Sequence, residues 1–141
     1  MATWTDVYQW CQSNRAFTVG GLDGPIFEVR ASFDGDDGVQ TTRTAMVLHT
    51  GAVGLELVMI QCWIGPVLDQ SAYERYLLTL SGIWSDPDVG WAAPYGLASM
   101  PGIVDMRTSF PLAELPRSQF DFALVQILGS SDVLLRRLGV H

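Results

Sequence analysis

Residues 54–66, GLELVMIQCWIGP, set the hardest condition on any fold this chain can adopt. In an extended strand successive side chains point to opposite faces. Leu55, Leu57, Met59 and Trp63 then share one face, and Val58, Ile60, Cys62 and Ile64 share the other. Both faces are apolar, whereas a strand with one wet side alternates apolar with polar. At 141 residues the chain reads as a single domain spanning 1–141, large enough to bury roughly two-thirds of its unfolded surface. One layer of helices can cover one side of such a strand. The other side needs a second element or a second molecule.

The segments around this strand read as an antiparallel meander. IFEVRASF, 26–33, turns Phe27, Val29, Ala31 and Phe33 inward and Glu28, Arg30 and Ser32 outward. VQTTRTAMVLH carries a second, β-branched strand to about His49, and Thr50–Gly54 turns the chain into the third. The acidic run Asp34–Gly38 invites a calcium reading, but a calcium loop counted from Asp34 would place Val39 at the required glycine and Ala45 at the required glutamate. A hairpin turn fits better.

Helices flank the meander. Trp4, Val7, Tyr8 and Cys11 recur at helical spacing behind a capping Thr3 or Thr5. Gly20-Gly21 and Asp23-Gly24-Pro25 then break the chain. After Pro66, Ser71–Glu74 has the form of a capping box, and Tyr73, Tyr76, Leu77 and Leu80 predict a helix to Gly82. WAAPYGLAS and GIVDMRTSF are two further strands, the first placed at an edge by Pro94. In the second, Val104, Met106, Thr108 and Phe110 alternate with Ile103, Asp105, Arg107 and Ser109. From Arg117 onward, Phe120, Ala123, Leu124, Ile127, Leu128, Ser131, Leu134, Leu135 and Leu138 mark one broad face of a long helix, with Gly129 as a weak point. The class is α+β: α-β-β-β-α-β-β-α, a five-stranded antiparallel sheet with helices mainly on one face.

This order, together with the closing segment PLAELPRSQFDFALVQILGSSDVLLRRL, resembles the YbjN family and the type III secretion chaperones of the YopN and CesT type. The local likeness is a Leu-Pro turn, an Ala-x-x-x-Ile-Leu core (Ala123, Ile127, Leu128) and an Asp-x-Leu-x-x-x-Leu ending (Asp132, Leu134, Leu138). The resemblance implies small homodimers whose apolar surfaces hold extended segments of client proteins. It carries no catalytic motif.

Composition narrows the partners. Hydrophobic residues make up 48% and charged residues 16% of the chain, which leaves little charge to coat the outside. There are 15 acidic and 8 basic side chains, every basic one an arginine, for a net charge of −7. That balance repels phosphate backbones and anionic lipids, so neither nucleic acid nor membrane is an expected partner. Arg136 and Arg137 suit the C-terminus of the last helix. The run 57–64 is too short to cross a bilayer and no leader peptide opens the chain, so a reducing cytoplasm is the expected compartment. Cys11 and Cys62 sit in apolar segments and read as small core residues, with a single disulfide as the alternative.

Catalytic signatures are missing from the sequence. His49 and His141 are the only imidazoles, and no HExxH, CxxC, GxSxG or phosphate-binding glycine loop occurs. A Cys62–His49 thiol–imidazole pair fails because His49 should lie opposite the mid-fifties. Asp86 and Asp88 read as solvated loop carboxylates. No cofactor, metal or enzymatic activity is therefore expected.

The leading expectation is a dimeric protein- or peptide-binding domain. Its candidate contact residues are Leu57, Met59 and Trp63, with Trp4 and Tyr8, since buried aromatic side chains dominate binding energy and Met adapts to varied partners. A small-molecule domain would instead show a pocket between sheet and long helix with converging polar groups. A toxin-neutralising partner would bind through its acidic surface and weaken with salt.

Overall fold

A computed structural model of the chain describes residues 1–65, 96–100 and 103–137. The helix expected over 71–82, the Asp86–Gly90 loop, Pro94, Leu138 and His141 lie outside the described residues. Among the described residues there are two helices and an open antiparallel sheet: α1 (Trp4–Ser13), β1 (Thr18–Val19), β2 (Ile26–Asp34), β3 (Gln40–Ala52), β4 (Leu55–Gly65), β5 (Gly96–Met100), β6 (Ile103–Pro111) and α2 (Arg117–Arg137). The sheet order is β1-β2-β3-β4-β6-β5. The five expected strands correspond to β2–β6, the fourth of them described only over Gly96–Met100, and a two-residue strand, β1, is added beside β2. The short strand at 96–100 does lie at the edge.

Local chemistry fixes the element ends. At the start of α1 the Thr3 hydroxyl accepts from the Asp6 amide at 3.2 Å, and the Asp6 carboxylate accepts from the Thr3 amide at 2.9 Å. Two amides that the helix leaves without partners are thereby satisfied. Asp34–Gly38 forms the β2–β3 turn: the Gly38 amide donates to the Gly35 carbonyl at 2.9 Å, and Gly38 holds φ at +79°. The Asp37 carboxylate accepts from the Val39 amide at 2.9 Å. The second strand outruns its expected end at His49 and continues to Ala52, which pairs with Leu55.

That leaves Val53-Gly54 as a two-residue hairpin loop, with φ at +52° and +76°. Both left-handed positions match the mirror-image turn that follows strand twist, and Asn-Gly is its preferred sequence. Valine, branched at Cβ, is strained there. Its side chain is fully exposed, so nothing offsets the strain. Val53→Asn is expected to raise stability by about 1 kcal/mol, read as a higher urea midpoint at unchanged slope. A lower midpoint would mean that the valine side chain has a stabilising role in the turn.

Both helices pack on one face of the sheet. Phe27, Val29, Val47, Val58, Ile60 and Met106 point toward that face and are buried, against Val7 and Cys11 of α1 and Phe120, Leu124, Ile127, Leu128 and Leu134 of α2. The 3.6-residue periodicity read from 117–137 is the buried face of α2. Trp10 lies 6.0 Å from Phe120, and the Arg117 guanidinium donates to the Ser13 hydroxyl at 2.8 Å, which ties the end of α1 to the start of α2.

Candidate functional site: the outer face of the sheet

Antiparallel register decides which side chains share the face away from the helices. Across the strands, Ile26 stands beside Leu48, Leu48 beside Met59, and Met59 beside Ser109. One row along, Glu28, Met46, Gln61 and Arg107 are neighbours, and one row the other way Thr50, Leu57 and Pro111. Ile26, Met46, Leu48, Leu57 and Met59 are each half-buried, which leaves an apolar band across the three central strands. Leu55 and Trp63, at the two ends of β4, are 57% and 60% exposed. The even-numbered side chains Val58, Ile60, Cys62 and Ile64 are buried in the core. The greasy strand therefore has one face satisfied by its own helices, while two of its largest apolar residues on the other meet solvent.

On the polar flank of this face Asp105, which alternates with the inward Met106, is fully buried. Its charge is met by its neighbours. Arg107 donates from Nε and Nη2 at 2.7 and 2.6 Å, and Gln61, on the adjacent strand, donates from Nε2 at 2.7 Å. The fork of a guanidinium matches both carboxylate oxygens, so the charge is compensated within the sheet. The same hydrogen bonds to Asp105 push the Arg107 pKa up. Trp63 pairs with Asp105 across the strands, so the exposed indole borders this ion pair.

Of the five candidate contact residues, the structure brings Leu57, Met59 and Trp63 together and puts Trp4 and Tyr8 elsewhere. Trp4 stacks on His49 at 5.3 Å and lies tilted against Phe27 at 5.2 Å, and its indole donates to the Gly24 carbonyl at 3.1 Å. Tyr8 meets Phe27 edge-on at 5.0 Å and donates to the Gly20 carbonyl at 3.2 Å. Both hold α1 against the helix-covered face. Their helical spacing located them correctly on α1, but spacing could not tell which side of the sheet α1 would cover.

A second polar cluster, not legible in the sequence, lies between α2 and the sheet. Asp132 of α2 accepts from Thr41 Oγ1 at 2.5 Å, Arg43 Nε at 2.9 Å and Arg136 Nε at 2.8 Å. Arg136 also donates to the carbonyls of Phe33 and Val39 at 3.0 Å and to Thr41 Oγ1 at 2.7 Å. Thr41, Arg43 and Asp132 are all buried. Burial pushes the Asp132 carboxyl up, but the hydrogen bonds from Thr41, Arg136 and Arg43 outweigh it and hold the group below the ordinary aspartate range. The available signal was an Arg43 in the same inward register as Ala45 and Val47. The outer-face residues Met46 and Leu48 were also missed, although their even positions on the second strand place them beside Leu57 and Met59.

The thiols are inert. Cys11 and Cys62 are free and buried, which removes the disulfide alternative. Burial pushes the Cys11 pKa up to about 12, and burial likewise raises that of Cys62, whose Sγ donates to the Thr44 carbonyl at 3.3 Å. His49 pairs with Val58, four residues along the strand from Cys62, and its Nε2 approaches Glu56 at 3.4 Å. Among the described residues no helix is long and apolar enough to cross a membrane. No protein-family model matches the chain, and no curated protein matches it either.

Proposed function

We propose that this protein is a non-catalytic, chaperone-like binding domain that works as a homodimer and holds an apolar, extended segment of a client protein on the outer face of its sheet. The observation that carries this reading is the exposure of Trp63 and Leu55 at the ends of the Ile26–Leu48–Met59–Leu57 band. Aromatic and Met side chains in such a setting give large contact area and adaptable shape. The low charge content and the resemblance of the element order and closing helix to the YbjN and type III secretion chaperone group support the same reading.

Sedimentation over a wide concentration range, with and without an extended apolar peptide, tests it. The wild-type chain should associate, and Trp63→Asp should weaken association by at least tenfold. Because Trp63 is exposed, that substitution should alter folding stability by no more than about 0.5 kcal/mol. A wild-type chain that stays monomeric at every concentration and binds no such peptide would sink the proposal.

A further inference from the structure

Two thioethers stand at the centre of the outer face. Met46 pairs with Gln61 and Met59 with Leu48, so the two methionines are diagonal neighbours on β3 and β4, close enough for long side chains to meet. Both are half-buried. Met46 also lines two surface cavities, of about 350 and about 290 Å³, each roomy enough for a molecule little larger than water.

Other sulfurs are shielded. Met106, on the helix-covered side of β6, is fully buried, and its sulfur accepts from the Ser131 hydroxyl at 3.4 Å. Cys11 and Cys62 are buried too, and burial keeps their thiols protonated, whereas the thiolate is the reactive form. A thioether needs no deprotonation to react. We infer that Met46 and Met59 form an oxidation switch in the client-binding face: hydrogen peroxide converts both to sulfoxides and releases the client. The inference rests on the client-binding reading of that face. In each step a lone pair on sulfur attacks one peroxide oxygen and the O–O bond breaks. That oxygen stays on sulfur, the other leaves as water, and the two electrons lost by sulfur are gained by the peroxide. The product is a polar side chain in place of a flexible apolar one. An apolar segment docking on the Ile26–Leu48–Met59–Leu57 band would then have to desolvate the new oxygens without bonding them.

Treatment of the full chain with dilute hydrogen peroxide, stopped with catalase, tests the switch. Peptide-mapping mass spectrometry locates the added oxygen, and fluorescence anisotropy follows a labelled Val- and Phe-rich peptide that lacks Met, Cys and Trp. One oxygen at each of Met46 and Met59, none at Met106, and peptide affinity at least tenfold weaker are expected, with near-ultraviolet circular dichroism unchanged. Methionine sulfoxide reductase should restore the affinity. A Met46→Leu/Met59→Leu variant, whatever its own affinity, should bind equally before and after peroxide, which assigns the effect to these two sulfurs rather than to Met1 or Met100. The single leucine variants serve if the double one does not fold. Protection of Met46 and Met59 from peroxide, equal peptide affinity of the reduced and oxidised wild-type chain, or a peroxide-sensitive double variant overturns the switch and leaves the client reading standing. A reduced wild-type chain that binds no peptide overturns the client reading and the switch with it.

Discussion

Asp132→Asn is expected to cost about 3–5 kcal/mol of folding stability, the usual range for removing one partner of a buried ion pair. The substitution keeps the shape and removes the charge. Two guanidiniums, Arg43 and Arg136, then lose the carboxylate they share, and an amide N–H replaces one of its acceptor oxygens. The loss should appear as a melting temperature lower by roughly 10–20 °C for a chain of this size. Arg43→Met combined with Asp132→Leu should cost clearly less than the two single changes added together, because neither Arg43 nor Asp132 is left as a lone buried charge and Arg136 retains Asp37.

A pH series separates this from loss of packing. The folded-state pKa of Asp132 lies below its unfolded value. Its contribution is therefore complete above the unfolded aspartate pKa of about 3.9 and is lost as pH falls through the folded value. The gap between wild type and Asp132→Asn should hold steady from neutral pH to about 4 and close below it. A gap that persists unchanged into strong acid would assign the loss to shape, not charge.

Phe27→Ala should be comparably damaging, by about 3–5 kcal/mol. The ring is 2% exposed and is the shared contact of Trp4 and Tyr8, so its removal opens a cavity and detaches the aromatic side of α1 from the sheet. Chemical denaturation should report the loss, and near-ultraviolet circular dichroism should report loosened tryptophan and tyrosine environments. The contrast with Trp63 is the informative part. Two large aromatics sit on β2 and β4 of one sheet, on either side of β3, yet only the one facing α1 and α2 should matter for folding. A Trp63→Asp variant as unstable as Phe27→Ala would make Trp63 a core residue and remove the basis for a binding face.

Periodicity made most of this architecture legible. Alternation at Phe27, Val29 and Ala31, the run from Phe120 to Leu135 at helical spacing, and the Thr3 cap are decided by backbone geometry and solvent within a few residues, so the sequence carries them openly. The double-sided greasiness of residues 55–64 was equally visible. Register was not: it depends on where the hairpin loop falls, and Val53 disguised a loop that Asn would have announced.

The amino-acid pattern alone determined the five strands β2–β6, the helices α1 and α2, most inward residues, and the presence of one strand with two apolar faces. Tertiary structure alone decided that Trp4 and Tyr8 belong to the helix-covered side, that Asp105 is paired and buried, that Asp132 gathers Thr41, Arg43 and Arg136, and that the β3–β4 ladder ends at Met46–Gln61. The physical reason is range. Propensity and periodicity act between near neighbours, whereas charge pairing and cavities depend on residues brought together from separate elements, as with Arg43 and Asp132, whose separation along the chain is 89 residues.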